Sequence, residues 1–119
     1  MDDEATVAQV TCKMLENFGY QIQIVPDGEA AIAAYSQAME EGRPFAAVIL
    51  DLTIPGGMGG RETLEKLRKK YPAVKAIVAS GYSNDPILAE YREYGFKGVL
   101  IKPYDMATLN QVLREVLAD

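Results

Sequence analysis

Three carboxylates, a hydroxyl and an ammonium stand in this chain where their company suggests chemistry. Asp51 ends the apolar run Phe45-Ala46-Ala47-Val48-Ile49-Leu50, Ser80 ends Ala76-Ile77-Val78-Ala79, and Lys102 follows Gly98-Val99-Leu100-Ile101 and precedes Pro103. Asp2-Asp3 form an adjacent acidic pair near the start. A carboxylate directly after a buried strand must leave the core for a polar pocket, where it can act as a nucleophile and form an acyl phosphate. Adjacent carboxylates repel unless a cation screens them, and all-oxygen ligands suit Mg2+. A buried-strand lysine needs a partner, first a carboxylate and then a phosphoryl oxygen. A serine hydroxyl can donate to another phosphoryl oxygen. Phosphoryl transfer is mostly positioning and charge neutralisation, and this set supplies both.

Each residue alone has a duller reading. A lone strand-end Asp usually caps the next loop, an acidic start usually caps a first helix, and a lysine usually snorkels to water. The company of all four points at strand ends reverses those odds. Other phosphate chemistries fit less well. No G-x-x-x-x-G-K-[ST] occurs, and Asp51-Leu52-Thr53 lacks the second aspartate of D-x-D phosphatases. The chain has no histidine. That removes Ser-His-Asp and Cys-His catalysis, His-ligated zinc and any phosphohistidine on this chain.

Positioning these groups requires a frame, and the apolar periodicity supplies one. Residues 3–18 read as a helix with Val7, Val10, Met14 and Leu15 inward and Gly19 as its stop. Gln21 to Val25 reads as a short strand, followed by a helix capped by Asp27 and stopped by Gly42. Residues 45–50 form a strand buried on both faces. Residues 61–71 form an amphipathic helix with a basic end, closed by Pro72. A strand over 74–79 and a helix capped by Ser83 or Asn84 and stopped near Gly95 come next. A strand over 98–101 and a final helix capped by Asp105 complete the series. Helix and strand alternate, which predicts a doubly wound parallel α/β sheet. In such a sheet ligands bind beyond the carboxyl ends of the strands, where the four points would converge.

Asp2-Asp3 has no strand upstream in this sequence. The expectation is that the first, central strand is missing or truncated, that an apolar slot is left in its place, and that residues 1–119 are one domain of a longer protein. The length of 119 residues and 49% hydrophobic content suit one folded domain. The net charge of −5 argues against direct nucleic-acid binding. No apolar run is long enough to span a bilayer, so no membrane contact is expected. The single Cys12 permits no internal disulfide, and a cytoplasmic setting is the natural reading.

The chain resembles a response-regulator receiver domain, of the kind attached to hybrid sensor histidine kinases. The resemblance rests on Asp2-Asp3-Glu4, Gly19-Tyr20, Asp27-Gly28-Glu29-Ala30, Asp51-Leu52-Thr53-Ile54-Pro55-Gly56, Ser80-Gly81 and Lys102-Pro103. It implies a flavodoxin-like sheet of strand order 2-1-3-4-5. It implies that Asp51 accepts a phosphoryl group from a phosphohistidine on a histidine kinase or phosphotransfer domain. Mg2+ would be held by Asp3, Asp51 and the main-chain carbonyl of Thr53, with Asp2 acting through water. Ser80 and Lys102 would hold the phosphoryl oxygens, and Thr53 and Tyr82 would tune phosphoryl lifetime. Such a domain catalyses its own phosphorylation and dephosphorylation without being a turnover enzyme, and it leaves room for a homodimer and for a linked kinase or output domain. Two features depart from the commoner pattern. The loop Gly56-Gly57-Met58-Gly59-Gly60 is one residue longer, and Val99 stands where many receivers carry a switching aromatic. Val99 keeps open a second reading, a receiver-like protein-binding module that works without phosphorylation.

Overall fold

The computed structural model describes residues 1–2, 4–81 and 84–118. Asp3, Tyr82 and Ser83, three of the residues singled out above, lie outside that set. The described residues form three strands, β1 (Val48–Asp51), β2 (Ala76–Ser80) and β3 (Gly98–Ile101), with helices α1 (Ala5–Asn17), α2 (Gly28–Glu40), α3 (Gly60–Lys70), α4 (Pro86–Ala89) and α5 (Met106–Ala118). The strands are parallel in the order β1-β2-β3, which matches the last three of the expected five.

All five residues of β2 are buried, as a central strand covered on both faces requires. Side chains alternate across it. Ala76 and Val78 pack with Leu50, Leu64, Leu67 and Phe96 on the face covered by α2 and α3. Ile77 and Ala79 pack with Leu15, Leu100, Leu109 and Leu113 on the face covered by α1 and α5. This is the doubly wound α/β arrangement that the sequence predicts.

Local chemistry sets most helix ends. Asp27 Oδ1 accepts from Ala30 N at 2.9 Å and caps α2, and Asp105 Oδ1 accepts from Thr108 N at 2.8 Å at the start of α5. Arg68, Lys69 and Lys70 fill the last turn of α3. The α4 region differs from expectation. Its cap is Asp85, whose Oδ1 accepts from Ile87 N at 3.0 Å, and it lasts one turn rather than reaching Gly95. Tight turns replace it: Glu93 N donates to Glu90 O and Gly95 N to Arg92 O, which lowers the chain so that Phe96 enters the core.

Residues 21–25 are a second correction, because they do not form a strand. A strand exists through its neighbours, and among the described residues one bond of that kind is present, Asp2 N donating to Val25 O at 3.1 Å. Met1 N donates to Ile49 O at 2.7 Å, and Asp51 N donates to Met1 O at 3.2 Å. Met1 and Asp2 thus bridge the outer edge of β1 and the 21–25 segment. Beside them lies an apolar slot, a cavity of about 190 Å3 walled by Ile22, Val25, Tyr35, Val48 and Ile49 among others.

Candidate functional site

The register of the sheet places the strand-end residues side by side. Asp51 pairs with Ala79 across β1 and β2, and Ser80 pairs with Ile101 across β2 and β3. Leu52 N donates to Ala79 O and Lys102 N to Ser80 O, both at 2.8 Å, so the ladder continues one residue beyond each polar point. Asp51 and Ser80 are therefore buried polar residues, 6% and 2% exposed, at the carboxyl edge. Lys102 enters from the strand beyond Ser80.

The lysine side chain assembles the site. Its Nζ donates to Asp2 Oδ2 at 2.8 Å and to Asp51 Oδ2 at 3.0 Å. The three side chains are only 14%, 13% and 9% exposed, which makes both pairs partly buried. Burial alone pulls the ammonium pKa down, but the hydrogen bonds and charges of Asp2 and Asp51 outweigh it and hold the lysine above its ordinary 10.5. The Met1 ammonium also lies near both carboxylates, so two cations face two anions among the described residues. The carboxylate oxygens are donors of the kind a hard divalent cation takes.

The loop after Asp51 approaches the strand closely. A Cβ on Gly59 would run into Leu52 O, and one on Gly60 would lie 2.9 Å from Asp51 O. The glycine-rich stretch thus lets α3 begin directly against the end of β1. Thr53 lies exposed in this loop, two residues beyond Asp51. Val99 is half-buried and packs against the Leu88 and Phe96 cluster.

The structure joins Asp2, Asp51 and Lys102 by direct contact and seats Ser80 on the adjoining strand end. Sequence reading missed one pair. The Tyr104 hydroxyl lies 2.7 Å from Thr11 Oγ1, linking the segment after Lys102 to α1. The partners are 93 residues apart, and no local pattern announces such a contact.

Residues 1–114 match the family described as the response regulator receiver domain. Sensor kinase CckA of Brucella abortus is 30% identical over 118 residues, covering 98% of this chain and 12% of that protein. Sensor protein TorS of Escherichia coli is 29% identical over 117 residues, with the same coverage of each. The chain therefore spans about an eighth of the length of these two relatives. Among solved structures, chemotaxis protein CheY4 of Vibrio cholerae aligns with a TM-score of 0.84 at 26% identity, covering 97% of this chain and 92% of that one. A CheY-like receiver domain protein from Methanospirillum hungatei aligns with a TM-score of 0.80 at 26% identity, covering 98% and 89%.

Proposed function

This chain belongs to the response regulator receiver domains of two-component systems, a family whose function is to accept a phosphoryl group, and from that premise we propose that Asp51 is the acceptor. The observation that supports this most is the bridge from Lys102 to both Asp2 and Asp51 at the carboxyl edge of the sheet. An oxygen of the Asp51 carboxylate forms a bond to phosphorus as the N–P bond of a partner phosphohistidine breaks, and the imidazole leaves with the bonding pair. Lys102, already aimed at Asp51 Oδ2, turns to a phosphoryl oxygen and neutralises its charge. The Ser80 hydroxyl donates to a second one.

Receiver domains generally use Mg2+, and here Asp3, Asp51 and the Thr53 carbonyl would hold it, with Asp2 acting through water. When bound, the ion supplies charge neutralisation and alignment of the phosphoryl oxygens. The partner is a histidine kinase or a phosphotransfer domain, in a cytoplasmic setting. We read residues 1–119 as one receiver unit of a longer protein. The two sensor relatives favour a hybrid-kinase parent, since this chain covers 12% of each.

Incubation with Mg2+ and acetyl phosphate or phosphoramidate tests this reading. The expected product is a hydroxylamine-labile phosphoryl adduct that Asp51→Asn abolishes. An unmodified protein, or labelling that survives Asp51→Asn, overturns it. Val99, half-buried and without an aromatic ring, favours a second reading in which the domain binds its partner unphosphorylated. Full partner binding by Asp51→Ala, with no Mg2+ affinity in the parent chain, would select that alternative.

A further inference from the structure

Helix α1 begins at Ala5, so its seating, together with the backbone bonds of Met1 and Asp2, sets where the Asp2 carboxylate stands. Two kinds of anchor hold the helix. One is apolar and non-directional: Ala8 and Leu15 are buried, at 7% and 8% exposure. The other is directional. Among the described residues, Thr11 carries the one side-chain hydrogen bond that joins α1 to another element, the contact to Tyr104. Tyr104 comes two residues after Lys102 and packs against the Leu100 and Leu109 cluster. One short segment therefore grips the start of the chain twice, through Lys102 on Asp2 and through Tyr104 on Thr11.

The two grips behave differently during the proposed reaction. Lys102 must loosen from the carboxylates as Mg2+ draws on them, before it reaches a phosphoryl oxygen. The Tyr104 hydroxyl holds Thr11 instead. We propose that the Tyr104–Thr11 hydrogen bond is a positioning device that keeps α1, and with it Asp2, in place when Mg2+ loosens the Lys102 grip. This inference rests on the phosphoacceptor reading. Tyr104 and Thr11 are positioning residues and take no part in the bond making itself.

The test uses Tyr104→Phe, which keeps the ring in its cluster and removes only the hydroxyl. Two quantities are read. Mg2+ affinity comes from the shifts of the Asp51 and Leu52 amides, and the phosphorylation rate is taken at saturating Mg2+. A single hydrogen bond of ordinary strength predicts a loss of Mg2+ affinity of about fivefold, with the saturated rate within about twofold of the parent. Thr11→Val should give the same split, Thr11→Ser should restore the affinity, and the double variant should be no worse than either single one, because both remove one interaction. Unchanged affinity, an equal fall in affinity and saturated rate, or additive losses would overturn the proposal. Affinity is read without phosphorylation, so the phosphoacceptor reading can fail alone: the chain would then take up no phosphoryl group while Tyr104→Phe still weakened Mg2+ binding.

Discussion

The two halves of the site are built in different ways. Asp51, Ser80 and Lys102 sit at or one residue beyond the ends of strands whose partners are fixed by the ladder; β2 is buried throughout, and β1 and β3 are buried in part. A one-residue slip would turn every side chain to the wrong face, so register alone places these three groups. Asp2 has no such rail. Its backbone meets Val25 O in a segment that is not a strand, and its carboxylate is held by Lys102 Nζ and by the Glu4 amide, which donates to Oδ1 at 2.9 Å. The strand-held half is a consequence of the core, whereas the other half is held by a few polar contacts at the edge. Damage to the first should cost fold or chemistry outright, and damage to the second should cost affinity.

The largest contrast is chemical. Asp51→Asn removes the nucleophile while keeping its shape, and should lower the phosphorylation rate by about 10^3 or more, read from adduct formation with acetyl phosphate. Lys102→Ala, next in size, should lower the saturated rate by about 10^2, as expected for a lost charge-stabilising donor. It should also tighten Mg2+ binding, because the ammonium now 2.8 and 3.0 Å from the two carboxylates is gone. Weaker Mg2+ binding in Lys102→Ala would mean that the lysine mainly orders the acidic groups, and the contrast between the halves would collapse.

Stability provides the next comparison. Leu100 is fully buried on β3 behind Lys102, and Leu100→Ala should cost about 2 to 5 kcal/mol in denaturant unfolding. Val10, expected inward from the periodicity but 49% exposed on α1, should cost no more than about 0.5 kcal/mol as Val10→Ala. Comparable losses would show that α1 is as tightly built as the sheet. The smallest effect concerns pH. The Thr108 amide, with help from its side chain, holds the exposed Asp105 carboxyl below its ordinary 3.8. A folded-state pKa below the unfolded one gives stability that is present above 3.8 and lost as pH falls through the folded value. The melting advantage of the parent over Asp105→Ala should therefore be full near neutrality and shrink below pH 3.8.

The strand-held half was legible in the sequence for the same reason that it is rigid. A continuously apolar run ended by a polar residue stands out, as at Asp51, Ser80 and Lys102, and the β2 run is covered on both faces. The helix caps Asp27 and Asp105 were equally readable, because capping is a contact three residues long. What escaped depends on distant partners. Gln21 to Val25 has strand-forming residues, yet pairing is a property of two segments, and among the described residues the segment meets Asp2 through a single bond at Val25 O. The helix expected to reach Gly95 has the right periodicity, but turn bonds at Glu93 and Gly95 and the burial of Phe96 draw it away after one turn. Thr11 and Tyr104 carry no local mark at all.

The open outer edge of β1 has a consequence in time rather than in geometry. Among the described residues, β2 is paired with a strand on both sides and buried throughout, while β1 is paired along its length to β2 and on its outer edge bonds to Met1, at Ile49 O and Asp51 N, beside the slot. Amide hydrogen exchange proceeds through local openings whose free energies differ between regions of one fold. The β2 amides should exchange last, and the Ile49 amide, which faces the slot, should exchange well before them. Asp51 sits where these two clocks meet, on a strand that opens from one side and is sealed on the other.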